Sequence, residues 1–143
     1  MEQHEITAPI PLLDEQGNLT QAGYAKRLLP VYDRSKVKGG LTRLKEWDYY
    51  LVMNDHFALA LTIADNSYMG LDSISLLDFD QGWQVTKSPM RLLPMGRTGL
   101  PSTSEQGDTA VSRKGYGLFF RAGGDKRLLV AHMDNFRDGQ ALD

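Results

Sequence analysis

The groups in this sequence that could move a proton near neutral pH are a few histidines and aspartates. A neutral imidazole is a general base suited to pH 7, and His132 is one candidate for that work. Asp65 closes the bulky face of an alternating segment, where an apolar setting would raise its pKa, and Asp72 is the third candidate. Ordinary structure accounts for these positions more simply. Asp65-Asn66-Ser67 reads as a turn capped by its own side chains, and His56 belongs to a similar Asn54-Asp55-His56 turn. His132 is expected at a strand end, packed beside Leu129 and Met133. Ser102-Thr103-Ser104 has no glycine elbow, and no Gly-x-Ser-x-Gly occurs. Gly96-Arg97-Thr98-Gly99 could offer backbone amides and a guanidinium to an anion, but lacks the strand-loop-helix setting and the lysine of a phosphate loop.

Aromatic residues cluster where the chemistry is thin. Trp47, Tyr49, Tyr50, Phe57 and Tyr68 either line a ligand cavity or cover the core of a sheet. Trp47, Tyr50, Tyr68 and Arg97 are therefore the candidate ligand-binding residues. The three histidines show no metal-ligand spacing, and the absence of cysteine excludes disulfides, thiolate metal sites and a thiol nucleophile. We expect no metal and no cofactor.

The 143-residue chain is 41% hydrophobic and 24% charged, which fits a globular domain and excludes disorder throughout. Its net charge of -2 excludes the general cationic surface that nucleic acid demands. No apolar run is long enough for a membrane span, and the acidic start Met1-Glu2-Gln3-His4-Glu5 is unlike a secretory signal. These features are those of a soluble, cytoplasmic protein.

Charge falls in blocks. Residues 1–25 hold four acids and no lysine or arginine, whereas 26–45 hold seven basic residues against the single acid Asp33. From Glu46 to Thr86 there are seven acids and no basic residue. The basic stripe could hold phosphate or an acidic partner, but the acidic neighbour offers an internal partner.

Two regions follow from the patterning: an N-terminal arm over 1–46 and a β-domain over 47–143. Prolines at 9, 11 and 30 break any long element in the arm, and Asp14 to Asn18 is a turn. Thr20 is placed to cap a short helix ending at Leu29 before Pro30, and residues 34–43 read as a flexible connection. Beyond Trp47 the period becomes two. Phe57, Leu59, Leu61 and Ile63 alternate with Ala58, Ala60, Thr62 and Ala64, a strand whose small face lets a neighbour come close. Residues 49–53 and 68–79 flank it as strands, and the changing phase of the latter suggests a bulge or burial on both faces. Further strands are expected at 85–93, 110–112, 116–121 and 127–133. Residues 94–107 form a loop longer than a hairpin needs. The fold class is thus mainly β, an antiparallel up-and-down sheet or half-barrel with an arm and one short helix.

Several blocks occur together in a familiar order: Pro11 to Leu19, Gly23 to Lys26, Lys45 to Tyr50, Thr62 to Asn66, Gly70 to Ser75, Thr86 to Met90 and Thr98 to Ser104. Over nearly its whole length the chain resembles the domain of unknown function 2804 family. That resemblance implies a calycin-like, lipocalin-related β-protein in which a downstream half continues the sheet. On that basis the β-domain is expected to be incomplete at its C-terminus, with the faces of Phe57, Leu59, Leu61, Leu118 and Phe120 partly uncovered. The expected function is a share in a pocket for an apolar or amphipathic small molecule. Alternatives are an enzyme of the hydratase or isomerase type acting on an apolar substrate, and a structural or interaction domain without ligand.

Overall fold

The structure is a computed structural model that describes residues 3–143. In the arm, β1 (Ile10–Pro11) and β2 (Pro30–Val31) pair in parallel. The helix expected over 20–29 does not form. Its backbone groups are engaged elsewhere: the Tyr24 N–H donates to the His4 carbonyl (3.0 Å), and the Tyr24 carbonyl accepts from the Ile6 N–H (2.8 Å). The Thr20 hydroxyl donates to the Pro11 carbonyl instead of capping a helix. The turn at 14–18 is present, with Asp14 Oδ1 accepting from the N–H groups of Gln16 and Asn18. Among the described residues the helical content is a single 3-10 turn, Arg34–Lys36, inside the segment expected to be a flexible connection. Three of the seven charges of the basic stripe are paired inside the molecule. Lys26 pairs with Glu5 and Lys36 with Glu15, while Arg34 reaches forward to Glu46 at 2.7 Å.

The body is mainly β, as the period-two pattern requires. β3 (Glu46–Met53), β4 (Phe57–Asp65) and β5 (Met69–Asp78) form the expected meander. Its turns are Asx turns. Asn54 Oδ1 accepts from the N–H groups of His56 and Phe57, and Asp65 Oδ1 from that of Ser67 at 2.9 Å. The single strand expected over 85–93 divides at Pro89, which has no N–H to continue a ladder. Its parts are β6 (Trp83–Lys87) and β7 (Met90–Leu92), both paired with β5. A second antiparallel sheet follows from β8 (Gly107–Arg113), β9 (Tyr116–Gly123), β10 (Lys126–Arg137) and β11 (Gln140–Leu142), in the order β11-β10-β9-β8. The sheets are not closed. Among the described residues no helix is long and apolar enough to cross a membrane.

The inner faces of the sheets meet in one core. Leu61, Ile63 and Ile74 from the first sheet pack with Val111, Leu118, Phe120, Met133 and Phe136 from the second. Tyr50 meets Phe120 edge-on, with ring centroids 5.1 Å apart. The expectation that Leu61, Leu118 and Phe120 are partly uncovered is therefore corrected: each sheet covers the other's face, and these residues are 1–2% exposed. Phe57, at the end of its strand, does remain exposed.

Of the two readings of β5, the bulge is absent, since its ladder with β4 runs without a shift from Phe57 opposite Asp78 to Asp65 opposite Gly70, and burial on both faces holds, since none of its residues is exposed. Its even positions face inward throughout, and the apparent phase change arises because the inward residues pass from Gly70 and Asp72 to Ile74 and Leu76. On the outer face of β4, no second layer covers the alanines. Ala58 lies between Met53 and Leu77, and Ala64 between Trp47 and Leu71, so bulky cross-strand neighbours bury the small residues.

Candidate functional site

β7 and β8 are consecutive strands that do not pair, and between their edges lies a cavity of about 320 Å³. β7 contributes Arg91 and Leu92, the long loop contributes Leu93, Pro94, Arg97 and Thr98, and β8 contributes residues 110–113. The volume is at the lower end of the roughly 300–1,000 Å³ of small-molecule sites.

The floor is built by a buried polar network. Arg91 grips Asp72 with both arms of its fork, Nε to Oδ2 at 2.7 Å and Nη2 to Oδ1 at 3.0 Å. Nη2 also donates to the Ala64 carbonyl, and Nη1 to the Thr98 hydroxyl at 3.0 Å. The Thr98 hydroxyl donates in turn to Asp65 Oδ2 at 2.9 Å. From the second sheet, the Tyr116 hydroxyl donates to Asp72 Oδ2 at 2.9 Å. Asp65, Thr98, Arg91, Asp72 and Tyr116 are thus one chain of hydrogen bonds across both sheets. No buried side-chain nitrogen or oxygen among the described residues lacks a partner.

Local structure explains why this arrangement forms. Gly70, opposite Arg91 on the neighbouring strand, leaves the space that the guanidinium occupies; a Cβ there would meet Arg91 Cζ at 2.8 Å. Gly96 has φ +77°, and a Cβ on it would collide with the Arg34 guanidinium. The bend between strand and loop places Leu93 and Met95 at φ +52°, a strained setting for side-chain-bearing residues. It is held by the Leu93 N–H on the Tyr68 carbonyl and the Met95 N–H on the Ser67 carbonyl.

Electrostatics separate the two carboxylates expected to do chemistry from that role. Burial pushes the Asp65 carboxyl up, but the N–H groups of Gly96, Ser67 and Thr98 and the Thr98 hydroxyl outweigh it and hold it below its ordinary value. The amides of the 96–99 loop do bind an anion, and that anion is the chain's own Asp65. Both oxygens of Asp72 are engaged by Arg91 and Tyr116. Burial, followed by the hydrogen bond to Asp72, pushes the Tyr116 hydroxyl up to about 12, so it stays protonated and donating.

The remaining candidates scatter. His132 is not at a strand end and does not pack with Leu129 and Met133, which face the core from the opposite side of β10. It lies exposed on the outer face between Asp134 and Asp143, whose hydrogen bonds raise its pKa, Asp143 more strongly. Tyr50 is in the core. The Trp47 side chain is exposed beside a different hollow, one walled by Tyr32, Glu46 and Pro101. Tyr68 is exposed at its turn and meets the site through its carbonyl alone. Only Arg97 of the four lines the cavity. Arg91, Arg113 and Tyr116 escape notice as site residues in the sequence, and Thr98 figures there only within the Gly96–Gly99 loop. The one available signal is Arg91 itself, a charge flanked by Met90, Leu92 and Leu93 in a segment of strand character.

Among the described residues, no group of acids and histidines is arranged to hold a metal ion. No curated protein and no solved structure matches the chain. One family model does, described as a domain of unknown function (DUF2804), and it spans residues 3–143. The chain belongs to the DUF2804 family.

Proposed function

We propose that this β-domain is a binding module that takes an amphipathic small molecule in the cavity between β7 and β8. The observation that carries the proposal is the composition of that cavity. The lining is mostly polar, from Arg91, Arg97, Thr98, Ser112 and Arg113 on a frame fixed by the buried network, with Leu93 and Pro94 as its apolar part. Small-molecule sites commonly combine these two kinds of wall on a preformed scaffold. A larger hollow of about 550 Å³ in the arm is the weaker candidate, because its polar rim already serves itself. There Asp14 and Asp33 cap their own turns and Glu15 holds Lys36. The enzyme alternative has less support, since Asp65 and Asp72 are both committed to structural partners. Titration of the chain with decanoate, followed by isothermal calorimetry, tests the proposal: saturable one-to-one binding supports it. Absence of binding by decanoate and by its neutral and phosphorylated analogues overturns it.

A second reading, an interaction domain, is favoured by the outer face of the first sheet. Trp47, Tyr49, Leu51 and Met53 stand on one side of the edge strand β3, each 49–62% exposed. Sedimentation of this chain over a concentration series checks this: self-association that Trp47→Ser and Leu51→Ser weaken supports the interaction domain, and a monomer at every concentration contradicts it.

A further inference from the structure

Resting on the reading of the cavity as a small-molecule site, we propose that its ligand carries an oxyanion head group, which Arg97 and Arg113 receive. The cavity is lined by three arginines and by no aspartate or glutamate, in a chain whose net charge is -2. Arg91 is neutralised by Asp72. The other two are not neutralised. Arg97 donates from Nε to the Pro94 carbonyl at 3.1 Å and from Nη2 to the Leu93 carbonyl at 2.7 Å. Arg113 donates from Nη1 to the Ser112 carbonyl at 2.8 Å. Neither has a carboxylate within ion-pair distance among the described residues.

These carbonyl contacts orient the two guanidiniums while leaving Nη1 of Arg97 and most of the Arg113 fork without protein partners. Both are exposed charges on the lining of one cavity, and an oxyanion there accepts charge-assisted hydrogen bonds from them. Anions that reach the 96–99 loop amides are excluded by Asp65, which already occupies them. The head group is therefore confined to the Arg97 and Arg113 side of the cavity, and Leu93 and Pro94 are the apolar groups beside it that the tail meets. A carboxylate and a phosphate monoester share this chemistry.

The test compares decanoate, decyl phosphate, decanol and decyltrimethylammonium on the full chain, each by calorimetry. Decanoate and decyl phosphate are expected to bind, and decanol to bind about tenfold more weakly or worse. Arg97→Gln and Arg113→Gln are each expected to weaken decanoate about tenfold while leaving decanol unchanged, and raising salt is expected to weaken decanoate alone. Circular dichroism and a urea midpoint near that of the parent confirm that each variant is folded. If decanol binds as tightly as decanoate, or if both glutamine variants bind decanoate like the parent, the head-group assignment is wrong while the small-molecule site stands. If none of the four probes binds, the site itself falls.

Discussion

The inner face of β5 changes character in mid-strand, between Asp72 and Ile74, and its polar end toward Gly70 and its apolar end toward Leu76 solve the problem of burial by opposite means. At one end Ile74, with Leu61, Phe120 and Phe136 around it, is covered by apolar side chains from both sheets. At the other, Asp72 is as deeply buried but is held by Arg91 and Tyr116 through directional contacts. The apolar end gains free energy in rough proportion to area and accepts any well-fitting neighbour. The polar end at best recovers what desolvating two charges costs, and it does so only with its partners in place. A network that adds little net stability but fixes a loop beside a cavity is understood more readily as site architecture than as core.

The largest effects come from opening either end. Phe120→Ala should cost about 3–5 kcal/mol through a cavity in the apolar end. Asp72→Ala should cost a similar ~3–5 kcal/mol, because Arg91 would then be buried without its carboxylate. Urea denaturation of both variants measures this, and a small loss for Asp72→Ala would mean that Arg91 escapes to water and the polar end is not rigid.

Gly70→Ala sharpens the comparison at smaller scale. The added methyl meets the Arg91 guanidinium and should cost about 1–3 kcal/mol. In an Asp72→Leu/Arg91→Met background the same change should cost measurably less, since a flexible methionine can yield. Equal costs in the two backgrounds would show that the glycine serves something other than the guanidinium.

How much of this could be read beforehand differs between the two ends for the same physical reason. The strand at 57–64, its Asx turns and the apolar core follow from local alternation and from turn chemistry, which depend on neighbours in sequence. The helix expected at 20–29 fails because its backbone groups pair with His4 and Ile6, a tertiary choice that local propensity does not contain. Asp72 reads in the sequence as a candidate for proton transfer because its partner, Arg91, lies on another strand. The cavity depends on two edges that do not pair, and no spacing in the sequence encodes that. Arg97 was visible as a guanidinium in a glycine-rich loop, but its loop amides turned out to be held by Asp65.

Acid should affect the polar end through Asp65. Its folded carboxyl lies below the ordinary 3.8, so as pH falls the unfolded chain takes up the proton first. The contribution to stability is complete above that ordinary value and disappears as pH falls through the folded one. Asp65→Asn should therefore flatten the acid side of the urea-midpoint profile below about pH 4, and an unchanged acid slope would contradict the hydrogen-bonding account. The smallest effect belongs to His132, exposed on the outer face. Its folded pKa is raised above 6.5, so its contribution is fully present below that value and is lost as pH rises through the folded one. His132→Gln should remove a slight alkaline decline in midpoint and change nothing in the cavity.

The most direct test replaces the polar end by an apolar one. Asp72→Leu, Arg91→Met and Tyr116→Phe together remove every member of the ion pair and the hydroxyl that serves it, leaving Arg97 and Arg113 untouched. Calorimetric titration of this triple variant with decanoate, beside its urea midpoint, reads the two roles separately. The account predicts a midpoint at or above that of the parent, because well-packed apolar replacements of buried ion pairs are neutral or stabilising, together with weaker decanoate binding as Thr98 loses its hydrogen bond from Arg91. A stable triple variant that binds decanoate like the parent would contradict the claim that the network exists to shape the site.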